Sequence, residues 1–308
     1  MSFDMHFHTQ LSDGVNSSME VVNYAKENGL TYLACTDHDT INREIKDLCL
    51  NNGIDSSLGV EISARNKKTK HSVHITCYAE NFTDDVDNIV SQGKISRNNR
   101  VFEQINLLKS YGFNLDGNEF YKQYLEGQDG KVVTNGHLGA YILSKPGNID
   151  LVKSISGWND EKIKQSFIVE FLKEGGAYCN YGFIDKGDEE LSIEVCGEIA
   201  KANKAILSIA HPHFSFKGDI EKFRLDFPMY YDVGLKGVEI NTFTPIEWIN
   251  EIYSLRKKFS DLFITFGSDC HKIGKYGKRH GSIGELNTLI DSKTQLGELK
   301  KVLDFIRS

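Results

Sequence analysis

The sequence predicts an α/β fold in which parallel βα units close into a barrel, and two observations carry that expectation. Short apolar runs alternate with helix-like stretches along much of the 308 residues, the rhythm of βα repeats. Histidines and carboxylates then gather at the ends of those runs, where a β/α barrel places its chemistry. Candidate strands are Phe3–His8, Tyr32–Thr36, Ser57–Glu61, Ser72–Tyr78, Ala205–Ala210, Gly237–Asn241 and Leu262–Gly267. Between the first two lies a helix with Ser17 or Ser18 as N-cap, apolar Met19, Val22 and Ala25, and a stop at Gly29. Further helices are expected over Ile41–Asn51, Glu189–Ala202, Pro245–Phe259 and Leu296–Ile306.

The strand ends hold the chemical information. His6 and His8 close the first strand, Asp37-His38-Asp39 follows the second, Glu61 ends the third, and His74 sits in the fourth. His211 follows the Ala205–Ala210 strand, and Asp269-Cys270-His271 follows the last. Residues i and i+2 of a strand share a face, so His6 and His8 can grip one cation, and Asp269 and His271 repeat the spacing. A lone histidine is usually an ordinary core or surface imidazole. A set gathered at strand ends with carboxylates is better explained by a shared metal site. Imidazole and carboxylate without thiolate suit Mn, Fe or Zn and do not choose among them. Cys270, between two such residues, is expected to point away into the wall.

The middle of the chain breaks the rhythm. From Asp84 to about Gly112 the pattern is that of one long helix, and Asn114–Asp188 mixes Gly, Lys, Asn and Asp with short helical patterns. The expected organisation is a metal-binding barrel from residues 1–90 and 191–308, with 91–190 inserted as a mainly helical lid or subdomain.

Composition narrows the partners. A formal net charge of −7 opposes broad electrostatic capture of long nucleic acid, which relies on Lys and Arg contacts to phosphates. There is no basic n-region or apolar h-region at the N-terminus. No apolar run approaches the roughly 18 residues of a membrane span. A cytoplasmic protein without a membrane partner is expected. Its six scattered cysteines are read as reduced and buried.

These same residues resemble the motifs of the polymerase-and-histidinol-phosphatase (PHP) family. Asp4-Met-His6-Phe-His8-Thr-Gln-Leu-Ser-Asp13-Gly is similar to its first motif and Thr36-Asp37-His38-Asp39-Thr40 to its second. Gly59-Val-Glu61-Ile-Ser63 is similar to the third and Val73-His74 to the fourth. Ala210-His211-Pro212 and Gly267-Ser-Asp269-Cys-His271 resemble the last two, all in family order. The resemblance implies a distorted, TIM-like (β/α)7 barrel holding two or three divalent transition metals. It implies that His6, His8, Glu61 and Asp269 hold the first, that Glu61 bridges to a second completed by His74 and His211, and that Asp13, His38 and His271 hold a third. Asp37 would orient ligands from behind, or cap an exposed turn.

The implied activity is hydrolysis of a phosphomonoester, a nucleotide or other small phosphorylated metabolite, by a metal-bridging hydroxide. His137, or His271 if it does not bind metal, would protonate the leaving oxygen. Asn135-Gly-His137-Leu138 stands where small-nucleotide phosphoesterases of the family carry Gly-Arg-x-His, so Asn135 replaces an arginine. His213-Phe214 follows Ala210-His211-Pro212 where relatives often have Gly-Arg. Arg97, Arg100, His213 and Lys217 are the candidates to supply phosphate contacts in their place. Alternatives are an exonuclease, a hydrolase of a non-phosphate ester or amide, and a metal-loaded nucleotide sensor without turnover.

Overall fold

The computed structural model describes residues 2–185, 189–274 and 280–308, so residues 186–188 of the inserted stretch lie outside the described residues. The chain divides into two compact units, Met1–Gly93 with Glu190–Ser308, and Lys94–Glu189.

In the first unit the chain runs β1 (Ser2–Asp4), α1 (Ser18–Glu27), β2 (Leu30–Leu33), α2 (Arg43–Asn51), β3 (Asp55–Ser56), β4 (Leu58–Asn66) and β5 (His71–Ala79), then enters α3 (Asp84–Ser110). The second unit carries the rest of α3, then α4 (Gly117–Tyr124), α5 (Asn135–Ser144), α6 (Asn148–Ser156) and α7 (Asp160–Leu172). The chain returns to the first unit with β6 (Leu191–Ser192), α8 (Ile193–Asn203), β7 (Ile206–Ile209), α9 (Pro212–Ser215) and α10 (Ile220–Asp232). It ends with β8 (Gly237–Asn241), α11 (Ile246–Lys258), β9 (Phe263–Gly267) and α12 (Ser292–Arg307).

The strands of the first unit form two sheets rather than one closed parallel barrel. One has the order β1-β2-β3, all parallel; the other has the order β6-β4-β5-β7-β8-β9. The departure from the expected barrel starts at β4, which returns as the antiparallel β5 with only residues 67–70 between them. Parallel neighbours need a long crossover connection, and this turn leaves no room for one. β5 then pairs antiparallel with β7, and parallel pairing resumes through β8 and β9. Single bridges, Phe7 to Cys270 and His38 to Glu61, join the two sheets where the metal-ligand candidates lie.

Local sequence explains the helix boundaries. Ser17 caps α1 in a reciprocal pair with Glu20, its side chain accepting the Glu20 N–H while Glu20 accepts the Ser17 N–H at 2.8 Å. The buried stripe of α1 is Ser18, Val21, Val22 and Ala25, the spacing of one helical face. Met19, expected on that face, is exposed instead. α8 begins four residues later than the pattern suggests, because Leu191 and Ser192 pair with Ala64 and Arg65 before Ser192 caps the helix.

Buried apolar side chains from the larger sheet, including Val60, Ile75, Ile206, Val238 and Ile264, form the main core of the first unit. A second cluster around α1 and α2 includes Phe7, Val22, Ile45, Cys49 and Cys270, so the Cys270 side chain belongs to an apolar wall. The second unit has its own core, with Ile105, Leu108, Phe120, Tyr141, Phe167 and Phe171. All six cysteines are free thiols, and all but Cys179 are buried. Among the described residues no helix is long and apolar enough to cross a membrane.

Candidate metal centre

Backbone pairing beyond the regular strands brings the ligand candidates together. After β1 the chain stays extended: Met5 N–H donates to Phe266 at 3.2 Å, His8 N–H to Cys270 at 2.8 Å, and Asp269 N–H to His6 at 2.7 Å. On the other flank Ala34 N–H donates to Asp4 and Thr36 N–H to Phe7. Alternation along this segment sends Met5 and Phe7 into apolar clusters and leaves His6 and His8 for the opposite face. Asp39 N–H donates to Glu61 at 2.9 Å, which sets the His38 segment beside β4. Three non-glycine residues here, Asp39, His211 and Asp269, have φ values of 47°, 32° and 55°. Such left-handed backbone costs of order 1–3 kcal/mol per residue and is characteristic of functional sites.

Glu61, fully buried on β4, is the centre of the arrangement. Its oxygens serve two different groups. Oε1 lies 2.9 Å from His74 Nδ1 and 3.0 Å from His211 Nε2. Oε2 lies 2.9 Å from His38 Nδ1, 3.4 Å from His8 Nε2 and 3.6 Å from His6 Nε2. Asp269 Oδ1 is 3.2 Å from His8 Nε2 and 3.5 Å from His6 Nε2. Asp13 reaches His271 Nε2 at 3.2 Å and His38 Nε2 at 3.7 Å.

The donor chemistry fits divalent cations. Candidate ligand atoms lie within 4.8 Å of one another in the sets His6/His8/Glu61, His6/His211/Asp269, His38/Glu61/His74 and His8/Asp13/His38/His271. His6 Nε2, Asp13 Oδ1, His38 Nδ1 and Glu61 Oε2 are buried without a hydrogen-bond partner among the described residues. Several are close enough to pair, as His38 Nδ1 and Glu61 Oε2 are, yet their directions miss hydrogen-bond geometry. Buried polar atoms are normally satisfied, and atoms that converge without bonding one another suit a shared cation. Charge is balanced in the same way. Burial pushes the Glu61 carboxyl up, but His38, His74, His6 and His211 together hold it well below the usual carboxylate range. Asp13 is likewise held low by His271, His38 and His8 against its burial. Burial, with His271 and His38 alongside, brings His8 down to about 4.

Behind the ligand candidates stand carboxylates that hold them or their loops in place. Glu239 on β8, fully buried, accepts from His6 Nδ1 at 2.9 Å and from the His211 N–H at 2.7 Å. Asp37 accepts from Thr9 N–H, Thr9 Oγ1, Ser12 Oγ, Asn42 Nδ2 and the Cys35 thiol, tying down the loop that carries His8 and Asp13. With both oxygens occupied and no exposure, Asp37 orients the loop and has no face to offer a substrate. Asp4 accepts from His6 N–H, Ser268 N–H, Ser268 Oγ and Gly284 N–H. Sequence reasoning assigned no role to Asp4, Glu239 or His280. A glutamate between Val238 and Ile240 in the buried strand Gly237–Asn241 was the available signal for Glu239. Asp4 stood unused within the first motif. His280, whose Nδ1 lies 2.9 Å from Asp269 Oδ2, sits in a Gly- and Lys-rich stretch with no pattern around it.

With this geometry in place, comparison with known proteins decides the family. The PHP domain model matches residues 4–174. The chain belongs to the PHP family. Six of its nine ligand candidates, His6, His8, Asp13, His38, Glu61 and His74, fall within the matched residues. The fold is similar to that of a candidate metal-dependent phosphoesterase from Bifidobacterium adolescentis, at 22% identity and a TM-score of 0.71 over 99% of this chain and 98% of that one. It is also similar to an amidohydrolase from Chromobacterium violaceum whose structure holds sulfate and no metal, at 18% identity and a TM-score of 0.71 over 93% and 91%. No curated protein matches the sequence.

The remaining candidates of this PHP chain fall into two sets. His213 lies in the first unit on α9, buried, with neither ring nitrogen hydrogen-bonded among the described residues. Burial and the neighbouring His211 bring its imidazole down to about 4. Asn135, His137, Arg97 and Arg100 belong to the second unit, where structural bonds account for two of them. Asn135 Nδ2 donates to the Leu172 carbonyl at 3.2 Å. His137 Nδ1 accepts the Thr134 N–H at 3.1 Å in the capping box of α5. A nitrogen that accepts cannot also carry a proton, so this bond selects the neutral Nε2–H tautomer. Arg97 and Arg100 are half-buried on α3, each engaged by other groups. Lys217, in the first unit just after α9, is exposed and likewise engaged.

Proposed function

We propose that this PHP protein is a metal-dependent hydrolase that releases phosphate from a small phosphomonoester, a nucleotide or a similarly sized phosphorylated metabolite. The observation that carries the reading is the division of Glu61 between two imidazole groups, with His74 and His211 on one oxygen and His6, His8 and His38 on the other. A carboxylate so placed can bridge two cations. His6, His8 and Asp269 would complete the first position, His74 and His211 the second, and Asp13, His38 and His271 a third. Bound divalent cations supply Lewis acidity for attack of water at phosphorus and neutralise charge on the phosphoryl oxygens. The protein's own part is to hold the ligands aimed. Glu239 does this from behind by accepting from His6 Nδ1 and the His211 N–H, since a partner of this kind fixes ring orientation, and Asp37 does it by tying down the loop that carries His8 and Asp13. His213, buried beside His211 with ring nitrogens that have no hydrogen-bond partner among the described residues, is the proposed substrate-side imidazole in this unit.

Small substrates are favoured over long strands because the chain carries a net charge of −7, which opposes a polyanion. The name of the Bifidobacterium protein agrees with phosphoester chemistry. The test is a phosphate-release screen over sugar phosphates, mono- and bisphosphate nucleotides and short oligonucleotides, with Mn, Fe and Zn compared at one ionic strength. The expected result is turnover of small monoesters with higher kcat/KM than any oligonucleotide. Faster turnover of the oligonucleotide would make the protein a nuclease. Turnover of amide or carboxylic ester substrates alone would move it out of phosphate chemistry.

A further inference from the structure

We propose that His280 is a positioning residue for the first cation position and acts through Asp269; this rests on the metal-dependent reading above. Asp269 divides its two oxygens as Glu61 does. Oδ1 faces His8 and His6 at 3.2 and 3.5 Å, while Oδ2 lies 2.9 Å from His280 Nδ1. A carboxylate oxygen can only accept, so His280 donates through Nδ1–H. That bond engages the oxygen turned away from His6 and His8, and so fixes the rotation of the carboxylate that presents Oδ1 to them. The main chain of Asp269 is anchored through its N–H to His6 at 2.7 Å, in the left-handed region at φ 55°. Its side chain sits on that unusual backbone and needs an anchor of its own, which His280 provides.

Two other roles for His280 fit less well. Core packing does not account for it, since its side chain is 41% exposed and its ring lies against another imidazole, His271, at 4.3 Å. Direct metal ligation is stereochemically open, since ligand atoms of Asp269, His271 and His280 lie within 4.8 Å of one another. However, His271 Nδ1 donates to the Asp269 carbonyl at 2.9 Å, and its Nε2 is turned to Asp13 at 3.2 Å. Only His280 and one Asp269 oxygen would then face such a position, too few protein ligands for a defended site.

The test is metal titration of the full chain after chelation, using Mn and Zn, with unfolding of the metal-free protein measured alongside. His280→Ala should weaken one equivalent of metal by about 10–100-fold, the usual cost of losing such a partner. The other equivalents and the melting temperature of the metal-free protein should stay at wild-type values. His280→Asn should restore most of the lost affinity, because its amide nitrogen can occupy the place of imidazole Nδ1. His280→Gln, whose longer arm places its amide nearer the Nε2 position, should not. Wild-type affinity in His280→Ala overturns the proposal. So does complete loss of one equivalent in both the Ala and Asn variants, which would make His280 a ligand. A wild-type protein that takes up no metal removes both the proposed function and this inference. Unchanged His280→Ala affinity beside a metal-loaded wild type removes this inference alone.

Discussion

Glu239 receives the Nδ1–H of His6 at 2.9 Å, deep in the first unit where neither side chain is exposed. This bond makes Nδ1 the donor, because a carboxylate can only accept, and turns Nε2 toward Glu61 and Asp269. The second oxygen of Glu239 holds the His211 N–H. One buried carboxylate therefore orients a ligand candidate on each side of Glu61. We expect Glu239→Gln to bind metal about 10–100-fold more weakly than wild type, read by metal retained against a competing chelator. Wild-type retention would show that His6 is oriented by its backbone alone.

Glu61→Ala should be the most damaging ligand change. It removes both oxygens that lie between the two imidazole groups and leaves His6, His8, His38, His74 and His211 without the carboxylate on which they converge. Activity should fall to background on every substrate, and elemental analysis should show reduced metal. A Glu61→Ala protein with full metal content and measurable turnover would disprove the bridging role.

Asp37→Ala should cost stability before it costs chemistry. Five donors converge on that carboxylate, and each buried donor left unsatisfied costs about 1–3 kcal/mol. A loss of several kcal/mol is expected in urea unfolding, with Asp37→Asn less severe because one oxygen acceptor survives. If Asp37→Ala unfolds at the wild-type urea concentration, the loop that carries His8 and Asp13 is held by something else.

His137→Ala tests a residue expected from sequence to touch the substrate. In the structure its ring closes the capping box of α5, and loss of such a cap costs about 1 kcal/mol. The variant should melt slightly earlier and keep its full complement of metal. An unchanged melting temperature with a 10²–10⁴-fold loss in kcat would instead return His137 to the chemistry.

Metal affinity itself should depend on pH. Imidazole and carboxylate ligands must be unprotonated to bind, so binding releases protons and weakens as pH falls. Burial lowers the His271 imidazole, but Asp13 and Asp269 beside it raise it to about 10, so protons already compete with metal at neutral pH. Titration at pH 7.5 and pH 5.5 should show the weaker binding at the lower value. Chelation at neutral pH should lower the melting temperature, and added Mn or Zn should restore it.

The seven expected strands, the long helix from Asp84 and the pairs His6/His8 and Asp269/His271 could be read because each has a local signature, whereas Asp13 was reached only through the family resemblance. Strands and helices write their periodicity into a few consecutive residues, and ligands delivered from strand ends appear as His or Asp at i,i+2 spacing. The sheet arrangement could not be read that way. Alternating strands and helices suit parallel pairing everywhere, whereas β5 runs antiparallel to both β4 and β7.

What the sequence by itself determined is the chemistry on offer: a set of imidazoles and carboxylates at the ends of apolar strands, in the order of one family. Only the tertiary structure decided which atoms serve which partner. Glu61 split between two imidazole groups, Glu239 behind His6, and His280 against Asp269 are separated by 13 to 233 positions in the chain (His211 to Glu61 by 150), or by 11 with no motif between. Such contacts depend on the register of strands and the direction of single side chains, which no short window of sequence encodes.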